Sequence, residues 1–453
     1  YINFLYDQFL NRKPDQQELT FYLNVLRKGL SRNRLISIFL LSKEFQILTG
    51  SPIQLAKFNI NKQRINIGFF LGFGPNVGSE FESEGIGRFV IRLVQGMLNN
   101  IDDVNITLST NRDNYKHIKE AFRKYEEVFT GRININKFNT VEEINKDLLV
   151  DVWIVPYIGM ELALNLNKPM IVVLHDLVYK HFDIYYQLYP DFCVNLDRII
   201  YDVANKASVA VSSSNFIREK DGLGFLKLPL EKTRVIRLAP PVEEYQSFKL
   251  INETDFRQKY HLQNVYIVYP SAIRLHKNHL NLIEAFLKFS QSEEGQRSNL
   301  HLVLTSQYMQ NPLEQDILKL LNSYKALKKR IIFLGKIPSY DLPSLYKYAE
   351  GTIIPTLFEG SCPFQIFESL AMDTPVAMSN IEVMREVISN IDSFITFDPY
   401  SVQEIEKAIC HLWKNKNYII KKEKNSISNV FERTWSDVAV EYYSIATQIF
   451  ENS

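Results

Sequence analysis

Cysteine is nearly absent from this chain: 3 in 453 residues, Cys193, Cys362 and Cys410, scattered without metal-ligand spacing. That spacing excludes a disulfide framework and a zinc site, and it fits a reducing cytoplasm. Long apolar runs are missing too. The best candidate, Leu149 to Leu166, is interrupted by Asp151, Pro156 and Glu161, well short of the ~20 residues that span a bilayer. Charge of one sign is not in excess: 52 Lys and Arg against 51 Asp and Glu leave a net charge of +1, which gives no general pull toward nucleic acid. No Asp-x-Asp element stands at a strand end suited to Mg²⁺, so neither a metal nor another cofactor is expected. A signal peptide is also lacking; the chain opens at Tyr1 rather than methionine, as a fragment or trimmed chain would, so this carries little weight.

What is present is an ordinary globular composition, 46% hydrophobic and 23% charged, at a length that holds two to three domains. Residues 1–58 read as helices only, with Leu5, Phe9, Leu19, Leu23, Leu26, Leu35, Ile38, Phe39 and Phe45 at helical spacing. Turn chemistry falls at Asn11 to Asp15 and at Lys28-Gly29, and Ser31 is an N-cap candidate. Arg12, Lys13, Arg27, Lys28, Arg32 and Arg34 make this module basic. Such scattered charges read first as a solvated face, and second as a contact with a partner protein or with the inner face of the plasma membrane. The run Lys414, Lys416, Lys421, Lys422, Lys424 has the same two readings.

From Arg64 strands and helices alternate, the pattern of an α/β doubly wound sheet. The expected strands of the first half are Ile65 to Leu71, Asn105 to Leu108, Val152 to Val155, Met170 to Leu174, Val209 to Ser212 and Val235 to Leu238. A glycine-bearing loop follows the first, and Gly85-Ile86-Gly87-Arg88 opens a helix, so backbone there can approach a phosphate or sugar closely. The loop is too long for a dinucleotide fingerprint, and the next strand ends in Ser109-Thr110 without an acidic residue for a ribose. That argues against NAD. Met170 to Leu174 runs into His175-Asp176 at the edge where parallel sheets bind ligands.

The second half opens with the strand Val265 to Pro270, followed by Arg274, His276, Lys277 and His279. Cations at a strand's carboxyl end suit a diphosphate, arginine as a planar fork and lysine as a point charge. Further strands are His301 to Leu304, Ile331 to Leu334 and Phe394 to Phe397. The chain is organised around Gly351 to Asn380: a strand ending at Pro355, a loop with Glu359-Gly360-Ser361-Cys362, then Pro363 at the start of a helix through Met372. A phosphate belongs at the helix N-terminus, Ser361 to Phe364, and the carboxylates Glu359 and Glu368 then suit sugar and ribose hydroxyls. Glu368 can equally be a solvated helix residue.

These motifs, in this order, resemble the Glu-x7-Glu retaining glycosyltransferases of family 4. Here eight residues separate Glu359 and Glu368, one more than that pattern. The resemblance covers residues 64 to about 450 and implies a GT-B fold of two facing Rossmann-like domains, 64–240 on the acceptor side and 254–430 for the nucleotide-sugar donor. A final helix, 431–453, would cross back to the first domain. By position, Glu359 and His175 would meet the donor sugar, Arg274 and Lys277 clamp the diphosphate, Glu368 hold the ribose, and Gly335-Lys336 form the base-binding turn. Gly85, Gly87 and Arg88 would face the diphosphate and the acceptor. Residues 1–58 resemble the DUF4214 helical module. The implied reaction is transfer of a hexose from GDP-mannose or a UDP-sugar to a glycan or lipid-linked acceptor, in bacterial surface polysaccharide synthesis. Two other readings stand beside it: a nucleotide-sugar epimerase or phosphorylase of the same fold, and a non-catalytic scaffold or partner subunit.

Overall fold

The computed structural model describes residues 2, 6, 10, 12–27, 64–73, 81, 85–306, 312–361, 363–388, 390–427 and 431–453. The turn expected at Lys28-Gly29, the N-cap expected at Ser31 and most of the 1–58 module lie outside them, as does Cys362. Within the module, Gln16–Arg27 is a helix. Its start is a capping box: the Asp15 carboxylate accepts the Glu18 N–H at 2.7 Å and Glu18 accepts the Asp15 N–H at 2.8 Å, so two N–H groups without intrahelical partners are satisfied.

By packing, the described chain divides into two compact units. One is residues 1–173 with 195–211 and 435–453, and the other 174–194 with 212–434. The first sheet comprises β1 (Ile65–Leu71), β2 (Val104–Asn111), β3 (Ile133–Phe138), β4 (Val152–Val155), β5 (Met170–Leu174), β6 (Val209–Ser212) and β7 (Thr233–Val235). Their order is β3-β2-β1-β4-β5-β6-β7, and β1 pairs in parallel with both β2 and β4. Every residue of β4 and β5 is buried, which is why they read as the unbroken apolar runs VWIV and MIVVL. β3 is not among the expected strands. Its buried Ile133, Ile135 and Phe138 are diluted by more exposed polar residues between them, too few apolar positions to read as a covered strand.

Gly85–Asn100 is the helix after β1, and its apolar face is completed by the last helix, Trp435–Glu451. The Phe89 ring meets Trp435 and Tyr442 edge-on at 6.1 and 5.9 Å, and Asn100 Nδ2 donates to Ser436 Oγ at 2.6 Å. Gly87 lies where a Cβ would come 1.7 Å from the Phe81 carbonyl oxygen, so any larger residue forces this turn apart. A Cβ on Gly85 would meet no atom of the described residues within 4 Å.

The second sheet holds β8 (Tyr266–Tyr269), β9 (His301–Leu304), β10 (Ile331–Phe333), β11 (Gly351–Ile354), β12 (Val376–Ser379) and β13 (Ile395–Phe397). The order is β10-β9-β8-β11-β12-β13. Sequence runs outward in both directions from the β8/β11 boundary, so that boundary is the topological switch point where loops diverge and leave a crevice. Ile267, Leu302, Ile353, Ile366, Leu370 and Leu412 meet in one fully buried core. Each such side chain contributes about 1.5–3 kcal/mol over its exposed state. That core fixes the β8 and β11 loops on a rigid base.

Candidate active site

The β8/β11 crevice is built from two loops stitched to each other. The carbonyl of His276 accepts the Leu357 N–H at 2.7 Å and the Thr356 hydroxyl at 3.0 Å. Asn278 Nδ2 donates to the carbonyls of Pro355 and Pro399 at 2.9 and 2.7 Å. Asn278 holds φ 58°, a left-handed conformation that asparagine tolerates better than most residues. These bonds set Lys277 beside Glu359: Nζ to Oε1 is 2.5 Å, with both side chains more than four-fifths buried. A charge-assisted bond is stronger than a neutral one, and partial burial weakens solvent screening.

Gly360 follows Glu359 and is hemmed in by the segment after β5. A Cβ there would stand 2.2 Å from the His175 carbonyl oxygen and 3.2 Å from Asp176 Oδ2. Glycine is therefore a steric requirement of the site. The Gly360 carbonyl accepts from Ser214 Oγ at 2.8 Å and lies 3.4 Å from Ser213 Oγ. The His175 segment is itself fixed by buried Asp221, which accepts the Leu177 N–H at 2.6 Å and meets His181 Nε2 at 2.7 Å. The His181 ring packs 4.4 Å from Phe358, the neighbour of Glu359. So Asp221, His181, Phe358 and Glu359 form one supported line.

Electrostatics in the crevice are uneven. Burial holds the His276 and His279 rings far below their ordinary range, to about 3 each, with Lys277 adding to the effect. Both are neutral at physiological pH. Of the four basic side chains expected to act as a cationic cluster, only Arg274 and Lys277 supply charge, because the two imidazoles point into the packed interior rather than to the exposed edge. Asp176 is pushed up to about 6 by burial first, then by the neighbouring carboxylates Asp221 and Glu359; the Val178 N–H and Lys277 oppose the rise. Burial also raises the Tyr185 phenol, which feels both Arg274 and Asp176.

Glu368 lies in the Phe364–Ala371 helix, 2% exposed, and its Oε2 accepts from the Tyr346 hydroxyl at 2.9 Å. It is not a solvated helix residue. Pro363 is buried at the N-cap of that helix, with Ser361 and Phe364 half-buried beside it. Gln365 Nε2 donates to the Pro270 carbonyl at 3.2 Å, tying this helix to the end of β8. Gly335 holds φ 73° after β10, followed by exposed Lys336. Gly85, Gly87 and Arg88 belong to the first unit, at the start of its Gly85–Asn100 helix.

The second unit thus brings together Lys277, Glu359, Gly360 and the backbone of His175, with Asp176 among them. Asp176 was legible only as the residue after His175. Asn278 and His181 fall inside the motifs read around Lys277 and His175, and Asp221 carries no linear signal; the contacts of all three hold loops that meet only in the fold. Among the described residues, no group of three or more His, Cys, Asp or Glu is placed to hold a metal ion, and no helix is long and apolar enough to cross a membrane.

Residues 252–433 match the family model of glycosyl transferases group 1, and residues 1–49 match DUF4214, a domain of unknown function. An uncharacterized glycosyltransferase of Methanocaldococcus jannaschii is 28% identical over 144 residues, covering 30% of this chain and 35% of that protein. The O-antigen chain mannosyltransferase RfbU of Salmonella typhimurium is 26% identical over 190 residues, 40% of this chain and 50% of that protein. The matched stretches thus span between about a third and a half of these relatives' length. The crystal structure of Anabaena Alr3699/HepE in complex with UDP-glucose superposes with a TM-score of 0.62 at 15% identity, covering 85% of this chain and 100% of that one. At that identity the likeness speaks to the fold, which is GT-B: two Rossmann-like domains with parallel sheets, the second matching the group 1 glycosyl transferase model.

Proposed function

We propose that this chain is a retaining hexosyltransferase that moves mannose, or a related hexose, from a nucleoside diphosphate sugar to a glycan or lipid-linked acceptor during surface polysaccharide synthesis. The observation that carries the reading is the Lys277–Glu359 pair at the switch point of the second sheet. A cation and a carboxylate held 2.5 Å apart match a ligand that presents phosphate and hydroxyl groups side by side. The group 1 match over 252–433 and the O-antigen mannosyltransferase among the relatives support the class and favour mannose. Polysaccharide assembly at the inner face of the membrane fits a cytoplasmic enzyme.

In this reading Arg274, Lys277 and the positive end of the helix that begins after Pro363 hold the diphosphate and stabilise it as it departs. The bond between the sugar's anomeric carbon and the β-phosphate oxygen breaks, and the nucleoside diphosphate leaves with the electron pair. The acceptor hydroxyl attacks the same face and gives its proton to the departing phosphate oxygen. Glu359 and His175 orient the sugar, Glu368 takes the ribose hydroxyls, and Gly335-Lys336 flank the base. Gly85, Gly87 and Arg88 serve the acceptor side. Charge neutralisation rests on Arg274 and Lys277, so turnover should survive chelation of divalent ions.

The test is incubation of purified protein with GDP-mannose, UDP-glucose or UDP-N-acetylglucosamine and a panel of mannosylated acceptors, read as nucleotide release and acceptor mass. One donor should be consumed with a hexose added to the acceptor, and Lys277→Ala should abolish it. An isomerised donor without transfer would favour the epimerase reading. No turnover and no nucleotide binding by the folded protein would favour a scaffold.

A further inference from the structure

Beyond this reading, and resting on no part of it, we propose that the second unit carries a separate site for a small phosphate-bearing anion at the opposite edge of its sheet. A cavity of about 410 Å³ opens there, lined among others by His261, Asn264, Asn299, His301, Lys329 and Arg330. These residues precede or begin β8, β9 and β10, at the amino ends of the strands. Strands of four residues put roughly 13 Å of sheet between this edge and the loops that hold Lys277. The volume falls within the range of small-molecule sites.

The cavity wall is a closed hydrogen-bond ring. Asn299 Nδ2 donates to Asn264 Oδ1 at 2.7 Å, Asn264 Nδ2 lies 3.3 Å from His301 Nε2, and His301 Nδ1 lies 3.0 Å from the Asn299 carbonyl. A carbonyl can only accept, so His301 Nδ1 carries the proton and Nε2 accepts from the Asn264 amide. Burial, and then nearby Arg330 and Lys329, lower this imidazole's affinity for a second proton, against the Asn299 carbonyl. The ring is therefore neutral and self-satisfied, and it cannot balance the two cations beside it.

Among the described residues, no carboxylate lines the cavity. Among the described residues neither Lys329 nor Arg330 forms an ion pair. Arg330 has a structural task, because its Nη1 donates to the Gly295 carbonyl at 2.7 Å, inside the short Glu293–Ser298 helix. Lys329 has none. Two adjacent cations in a polar, carboxylate-free cavity with a preorganised neutral wall create a positive potential that a phosphate group would neutralise. The anion can be inorganic phosphate or the phosphate of a sugar phosphate, and the two share the chemistry recognised here.

The experiment uses full-length Lys277→Ala protein, so that binding at the crevice does not contribute, and titrates it with inorganic phosphate and separately with glucose 1-phosphate, followed by calorimetry. Saturable binding with a Kd near or below about 1 mM is expected, weakened at least tenfold by adding Lys329→Glu. Lys329 is exposed, so melting of the ligand-free protein should be unchanged by that substitution. As a second readout in otherwise wild-type protein, the anion should protect Lys329 from an amine-acylating reagent. Tighter binding of glucose 1-phosphate would identify the sugar phosphate as the source; equal binding would identify free phosphate. No saturable binding at ~10 mM, or binding that Lys329→Glu leaves unchanged, would overturn the proposal.

Discussion

Glu359→Gln should separate binding from turnover. In the free protein Lys277 Nζ is already engaged by the Glu359 carboxylate at 2.5 Å, so an incoming diphosphate must share that ammonium with a like-charged competitor. With the nearest phosphate charge about 6 Å from the carboxylate, the repulsion is about 0.7 kcal/mol per unit charge in bulk water and about 2.8 at an effective dielectric of 20. The crevice is partly open, so a value of about 1 kcal/mol is reasonable, equivalent to about fivefold in affinity. Replacing Glu359 with glutamine removes the charge and keeps the shape. The nucleoside diphosphate should then bind roughly fivefold tighter, while hexose transfer falls by two orders of magnitude or more, because the sugar loses its charged hydrogen-bond acceptor. Calorimetry with GDP and UDP gives the first number and an acceptor assay the second. Unchanged or weaker diphosphate binding in Glu359→Gln would refute the idea that this lysine faces the diphosphate.

Other consequences follow from individual contacts. Gly360→Ala puts a methyl group 2.2 Å from the His175 carbonyl oxygen and should cost about 1–3 kcal/mol in urea unfolding, whereas Gly85→Ala, which meets no atom of the described residues within 4 Å, should leave stability within about 0.5 kcal/mol. Asp176, raised to about 6, favours the protonated folded state. Its ionisation removes stability as pH climbs from its unfolded value toward 6, so Asp176→Asn should gain about 1 kcal/mol over wild type at pH 8 and nothing at pH 3.5; an equal difference at both would refute the assignment. Glu423 is fully buried in the Val402–Ser426 helix, accepts the Val376 N–H at 3.0 Å, and is raised by burial to about 9. It is protonated at neutral pH and loses stability as pH rises toward 9, so Glu423→Gln should stabilise by about 1–3 kcal/mol at pH 7, more at pH 9, and not at pH 4.

Much of this fold could be read from the chain because buried parallel strands leave unbroken apolar runs: β1, β4, β5, β6 and β9 have the expected bounds to the residue. The expected strand Val235 to Leu238 instead lies at Thr233–Val235, since the edge of a sheet has no second neighbour to demand an apolar run. At the candidate site, Lys277 and Glu359 were legible because residue type and position at a strand's carboxyl end coincide. His276 and His279 were not, because a histidine's charge depends on burial, which the sequence conceals. The contacts of Asn278, Asp221 and His181 escaped for a related reason: their hydrogen-bond partners lie between 40 and 121 residues away along the chain.

The most direct test of the central claim is calorimetric titration of the ligand-free protein and of Lys277→Ala with GDP and UDP. The account predicts that one nucleotide binds the wild-type protein and binds Lys277→Ala at least tenfold more weakly, with the variant's melting temperature unchanged within a few degrees. Equal affinity in both proteins, or no binding to a folded wild type, would contradict a diphosphate site at the β8/β11 crevice.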